Sequence, residues 1–350
     1  MGTRSARNMG TALERFKHRF GLPAFGGLAI FARVPSYPGS AGNALMFRKL
    51  LLPALVLVAA GSGAFWFLTA PRGLAGVDLP AHVPDLANGE EMFWAGGCES
   101  CHAAVGATGA EALKLGGGQA LKTAFGTFHA PNISPDRDRG IGRWSTLDFV
   151  NAMKFGVAPG GVHLYPAFPY TSYQRMRIED IIDLKAFLDT LPKVATSSLP
   201  HALAFPLSIR RGIGLWQLLY VDGKTFVPDP AKSAELNRGA YLVEGPAHCG
   251  ECHTPRNLIG GPDLAHAYGG GPAPEGKGRI PNVTPDATGL GDWSADDVVN
   301  LLETGFKPNF DSVGSTMAAV VRNTAKLSAA DRQAIAAYVL SLPPVDSLAK

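Results

Sequence analysis

One five-residue pattern occurs twice in the chain, as Cys98-Glu99-Ser100-Cys101-His102 and as Cys249-Gly250-Glu251-Cys252-His253. Each is C-x-x-C-H, the attachment sequence for a c-type haem. The chemistry dictates the order. Two thiols add across the two vinyl groups of the porphyrin and become thioethers, and the next residue offers an imidazole to one face of the iron. On a helical turn, positions three and four apart share a face, so both sulfurs and the imidazole can approach one flat macrocycle together. A lone C-x-x-C also fits half a zinc site, a thioredoxin-like pair or a structural disulfide. Here all four cysteines lie in the two motifs, each pair is followed at once by His, and no βαβ context surrounds them. Cys98, Cys101, Cys249 and Cys252 are therefore expected to carry two covalently bound haem c groups, with His102 and His253 as iron ligands.

An iron held by His on one side and Met on the other has a relatively high potential and no open position. A ligating Met is expected late in each half, on a loop before the closing helix. Met317, in Gly314-Ser-Thr-Met317, follows the second motif and is the expected ligand there. In the first half the position matching it by offset lies near Phe168, which cannot bind iron. Met176, in Tyr173-Gln-Arg-Met176, is the expected ligand, with His163 as the alternative donor and an open iron as a third reading. Met92 and Met153 read as core packing. His82, His129, His201, His248 and His266 read as surface or structural.

These residues must be positioned by something that the chain also spells twice. The motifs stand 151 residues apart, and other features recur near that offset. Gly-rich loops follow each motif, at Leu115–Gly118 and Tyr268–Gly271. Pro131-Asn-Ile-Ser-Pro-Asp136 matches Pro281-Asn-Val-Thr-Pro-Asp286, and Gly140–Ser145 matches Gly289–Ser294. Two copies of one domain account for this. Helices are expected before the motifs, at about Asn88–Ala95 and Ala234–Val243. Ser145, Ser294 and Ser328, each with Asp three residues on, read as N-caps. They open helices at Leu147–Phe155, Ala295–Glu303 and Ala329–Leu342. Ile181–Pro192 closes the first half. No alternating strand is evident. Trp144 and Trp293 read as packing at the haem edge.

The expected fold is all-α: two tandem class I cytochrome c-like domains after an N-terminal transmembrane helix. The divisions are 1–45 as a basic extension, 46–71 as signal anchor, 80–195 as domain 1, 196–230 as a linker packed across the halves, and 231–346 as domain 2. Length permits this, since 350 residues exceed a single ordinary domain. Gly and Pro make up about a fifth of the chain, which suits small helical domains wrapped in loops around a cofactor. The net charge of +3 conceals an asymmetry: residues 1–49 carry +7 and the remainder −4. Basic charge confined to one end leaves no nucleic-acid footprint. Residues 50–70 carry no charge, which is enough to cross a bilayer as a helix. Arg48 and Lys49 precede them and Phe65-Trp66-Phe67 stand near the far end, which points to a cytoplasmic N-terminus and an exported remainder. An uncleaved anchor is expected, with a cleaved signal peptide as the rival. Met46-Phe47-Arg48-Lys49 would make an ordinary start, so Met46 is read as the initiator and 1–45 as upstream sequence.

Four pieces carry a resemblance: Ala130–Asp136, His163-Leu-Tyr-Pro-Ala-Phe-Pro-Tyr170, Cys249–Arg256 and Gly314–Met317. Over about residues 80–345 the chain resembles membrane-anchored dihaem cytochromes c related to the cytochrome subunits of bacterial alcohol and gluconate dehydrogenases. It departs from the alcohol dehydrogenase subunits in having two haem motifs where they have three, and in having Phe168 where they often have Met. Family members with Phe there and a Met near position 176 are the closer match. The resemblance implies an electron carrier in the periplasm, fixed to the cytoplasmic membrane. It would accept electrons from a periplasmic or membrane dehydrogenase and pass them to quinone, a soluble cytochrome or a terminal oxidase. The rival reading is a catalytic dihaem enzyme, a peroxidase or thiosulfate-type dehydrogenase, with one open or displaceable haem ligand.

Overall fold

The structure is a computed structural model that describes residues 40–74, 78–273, 276 and 278–347, with side chains from 49 onward. Residues 1–39, most of the expected basic extension, lie outside the described residues. Helix α1, Ser40–Leu68, runs through Met46 and contains Lys49–Leu68, 20 residues long and apolar enough to cross a membrane. Its uncharged side chains are exposed from Leu50 to Leu68. The described residues divide after Gly61 into two units.

Within the second unit one arrangement of helices occurs twice. Helix α2 (Leu86–Ala95) leads into the motif turn α3 (Cys98–His102). After a loop come α4 (Thr146–Phe155), the short turn α5 (Tyr170–Tyr173) and α6 (Ile178–Thr190). A connecting helix α7 spans Ile213–Tyr220. Then α8 (Ala234–Glu244), the motif turn α9 (Gly250–His253), α10 (Ala295–Thr304), α11 (Ser315–Thr324) and α12 (Ala329–Leu340) repeat the order. The caps are those the sequence specifies. Ser145 and Ser294 each accept from the backbone N–H three residues on, and Asp148 and Asp297 answer as full capping boxes. Ser328 accepts from Asp331 N, but the Asp331 carboxylate turns to Arg238 instead, 2.7 Å away.

Two differences from expectation stand out. Short antiparallel strands are present: β1 (Ala120–Thr123) and β2 (Gly126–His129) form a hairpin, and Ala202–Leu203 joins its edge. Four-residue strands are too short for alternation to register in sequence. Met317 lies in the first turn of α11 rather than on a loop.

Each half is organised by a helix crossing. In the first, α2 lies across α6; in the second, α8 lies across α12. The contact point is a glycine in each case. A Cβ on Gly89 would collide with the carbonyl of Asp183 and lie 2.9 Å from Phe187 Cβ, and one on Gly239 would collide with the carbonyl of Ala334 and lie 2.7 Å from Tyr338 Cβ. The crossing buries Met92, Phe93, Ile181 and Leu188 in one half, and Leu242, Val243, Ile335 and Val339 in the other. At the first crossing the buried carboxylate of Asp183 accepts from His82 Nε2 (2.6 Å), Asp85 N (2.8 Å) and Asn88 Nδ2 (2.7 Å). The connecting segment is packed rather than free: His129 and Asn132 bond its start, and Phe226 N donates to Arg175 O near its end.

Two outcomes follow from these crossings. Gly239→Ala forces the helices apart and should cost about 3 kcal/mol in denaturant unfolding. Burial raises the pKa of Asp183, but the Asp85 amide, Asn88 and His82 outweigh it and hold the carboxyl below its usual range. Its stabilising contribution is therefore complete above an unfolded pKa of about 4 and is lost as pH falls through the lower folded value. The thermal-stability gap between the wild type and Asp183→Asn should be constant near neutral pH and close on acidification.

Candidate functional site

Each motif turn is tied to its half by the same set of bonds. His102 Nδ1 lies 2.7 Å from Pro131 O, and His253 Nδ1 lies 2.8 Å from Pro281 O. The Nδ1 proton is thereby assigned to the carbonyl, which leaves Nε2 with its lone pair. The carbonyl of each histidine accepts from the Gly-rich loop, Gly117 N to His102 O (2.7 Å) and Gly270 N to His253 O (2.8 Å). Both glycines have left-handed backbones, φ 73° and 75°, and lie too close to the Pro131 and Pro281 segments to carry a Cβ. The Pro-Asn segments are pinned in turn. Asn132 Nδ2 donates to Val194 O (2.6 Å) and Thr196 O (2.8 Å), and its Oδ1 accepts from Ser134 N. Asn282 does the same with Val345 O (2.6 Å) and Thr284 N.

The donor set fits a covalently attached haem. None of the four cysteines is paired in a disulfide. Burial pushes Cys98 and Cys249 up to about 12, with the neighbouring motif thiol adding to it in each case. Burial also lowers the pKa of both motif imidazoles, against the pull of the proline carbonyls. Neutral imidazoles with oriented Nε2 atoms are the state that ligates iron.

Of the sequence-predicted partners, Met176 is buried in the core at 1% exposure. Its carbonyl accepts from Lys154 Nζ (3.1 Å), which also donates to Gln174 O (2.6 Å) and Thr225 Oγ1 (2.8 Å). Met317 is half-buried and packs against the core. Met92 and Met153 are core residues, as expected. Trp144 and Trp293 also pack against the core. Phe168 packs its ring 5.4 Å from Tyr173. His163, the alternative donor, has both ring nitrogens engaged: Nδ1 with Gln217 Oε1 (2.6 Å) and Nε2 with Thr69 O (2.8 Å). The second of these contacts holds Thr69, just beyond α1, within the same unit.

The two motifs also grip each other, which the sequence did not disclose. Asn323 Nδ2, on α11, donates to Glu99 Oε1 (2.9 Å) and Ser100 Oγ (2.8 Å) inside the first motif. Ser172, 151 residues before Asn323 and in α5, donates to Glu251 Oε1 (3.0 Å) inside the second motif, joined by Thr171. Each half thus satisfies the buried carboxylate in the other half's motif. Burial raises the pKa of Glu251, but Arg256 at 2.5 Å and Thr171 outweigh it, so the group stays ionised. His248 stands between the motifs, its Nε2 3.2 Å from Gly96 O and its ring edge-on to Tyr173 at 5.5 Å. After burial, the Cys252 thiol is the largest influence raising the pKa of Cys101. The only prior signal was the 151-residue offset relating Ser172 to Asn323, and it gives no hint that the contacts cross over.

The family model described as cytochrome c matches residues 86–192. A diheme cytochrome c-type protein of Cereibacter sphaeroides is 48% identical over 301 residues, covering 86% of this chain and 100% of that protein. The fructose dehydrogenase cytochrome subunit of Gluconobacter japonicus is 35% identical over 302 residues, and the gluconate 2-dehydrogenase cytochrome c subunit of Pantoea cypripedii is 37% identical over 268. They cover 85% and 74% of this chain, which spans 60% of the length of each.

The crossed contacts have a measurable weight. Asn323→Leu leaves the buried Glu99 carboxylate without its amide donor and should cost about 2 kcal/mol of unfolding free energy. The same substitution at Asn309, an exposed position, should leave the denaturant midpoint unchanged.

Proposed function

The chain belongs to the dihaem c-type cytochromes, relatives of the cytochrome c subunits of alcohol, gluconate and fructose dehydrogenases, and from that premise we propose that it carries electrons one at a time from a dehydrogenase at the periplasmic face to the respiratory chain of the cytoplasmic membrane. Its cofactors are two haem c groups. Each supplies, when bound, a one-electron ferric–ferrous couple. We assign residues 80–195 and 231–346 to two class I cytochrome c domains, following an anchor at 46–71. The observation that carries this reading is the repeated imidazole–carbonyl bond, His102 with Pro131 and His253 with Pro281.

The chain's own residues divide the work. Cys98 and Cys101 hold one group and Cys249 and Cys252 the other, through thioethers. His102 and His253 ligate through Nε2. Met176 and Met317 would complete the ligand sets, and burial of Met176 with its carbonyl on Lys154 supports a fixed thioether. Saturated coordination suits an electron carrier rather than an enzyme, because no position is left for a substrate. The acceptor is quinone, a soluble cytochrome or a terminal oxidase. Retention of α1 as an anchor is supported by Thr69, which is fully buried and accepts from His163.

Redox titration of the full-length protein in detergent should resolve two reversible one-electron steps. Met176→Ala and Met317→Ala should each convert one haem to high spin, and each should lower one potential by on the order of 100 mV while leaving the other nearly unmoved. An unchanged spectrum for Met176→Ala would remove that residue from the iron and reopen the rival reading of a dihaem enzyme.

A further inference from the structure

Residues 201–221 contain two arginines and no Asp or Glu. In the middle of this stretch α7 is apolar on both sides. Its inner face buries Gly214, Trp216 and Gln217. Its outer face shows Leu215, 41% exposed, and Leu219, 66% exposed, one helical turn apart. The loop ahead of it adds Phe205 and Ile209, 80% and 47% exposed. A helix that is apolar all round has a second partner that is not water.

The inner face of α7 packs on the residues that close and follow α1. A Cβ on Gly214 would meet Thr69 Cα at 2.8 Å, so α7 and the residues after Leu68 are in direct contact. Arg211 Nη2 donates to Trp66 O (2.8 Å), and its guanidinium lies 3.6 Å over the Trp66 ring. Trp66 and Phe67 are themselves exposed. Trp and Arg at the close of an apolar run are the residue types of the membrane–water interface. α7 is therefore packed directly on the residues that close an apolar run long enough to cross a membrane.

We propose that the outer face of α7, with the 205–211 loop, lies in the headgroup layer of the leaflet from which α1 emerges, and that its occupant is an anionic phospholipid bilayer. The inference rests on the reading of α1 as a retained anchor and adds a second attachment to it. The absence of acidic residues from 201–221 and the presence of Arg210 and Arg211 suit a negative surface. Two attachments fix the orientation of the haem-bearing unit, whereas one would leave it free to swing.

The test uses the full-length protein in vesicles of phosphatidylethanolamine and phosphatidylglycerol. Leu219→p-benzoylphenylalanine, Leu57→p-benzoylphenylalanine and Val105→p-benzoylphenylalanine are irradiated separately, and the adducts are identified by mass. Position 57 reports the anchor, and position 105 is an exposed site in the loop after the first motif. Lipid adducts at 57, and at 219 several-fold above those at 105, are the expected result. Lipid at 57 with no excess at 219 overturns the inference and leaves the anchor standing. No lipid at 57 overturns the anchor and this inference with it. In native membranes, a protein adduct at 219 in place of lipid would reassign the face to a partner and equally overturn it.

Discussion

An imidazole can serve iron only if one ring nitrogen is protonated elsewhere and the other points its lone pair at the metal. In this chain a proline carbonyl accepts a hydrogen bond from the first nitrogen, once in each half. Much of the local sequence exists to hold those two carbonyls still. The asparagine after each proline spends its amide on distant backbone oxygens, and a left-handed glycine closes the loop onto the histidine's own carbonyl. These are neutral, modest hydrogen bonds, each worth about 1 kcal/mol. Their value is geometric: they decide which nitrogen keeps a free lone pair.

Around that constraint the halves are joined by an exchange. Glu99 and Glu251 are ordinary x residues of their motifs, yet both are removed from bulk water. A buried carboxylate left alone is costly, and here the compensation comes from the opposite half. Asn323 serves the first motif; Ser172 and Thr171 serve the second. The donors sit just ahead of the closing helix in each half, so the segments expected to carry the sixth ligands also clasp the neighbouring motif turn.

Much of this was legible in the sequence, and the rest was hidden for physical reasons. Helices with a serine cap and an apolar stripe, such as Thr146–Phe155 and Ala295–Thr304, fall within a residue or so of expectation because local signals define them. The hairpin at 120–129 was missed because its strands are four residues long and its third strand comes from more than 70 residues away. Met317 was expected on a loop because a ligating Met was sought just ahead of the closing helix; Ser315 is left-handed, at φ 53°, but opens a helix that carries Met317. His163 looked like a spare donor because its two acceptors, Gln217 and Thr69, are remote in sequence. Contacts between motifs involve common polar residues separated by up to 224 positions, and no local pattern announces them.

The depth of the Cys98 and Cys249 sulfurs bears on the order of manufacture. As free thiols inside the fold, both would be held protonated by burial, which pushes them up to about 12, and a protonated, sheltered thiol is a poor nucleophile. Asn323, moreover, stands 223 residues beyond Ser100 and closes against the first motif. Thioether formation at these sulfurs would therefore require a chain in which they are still accessible and the clasp between the halves is still open.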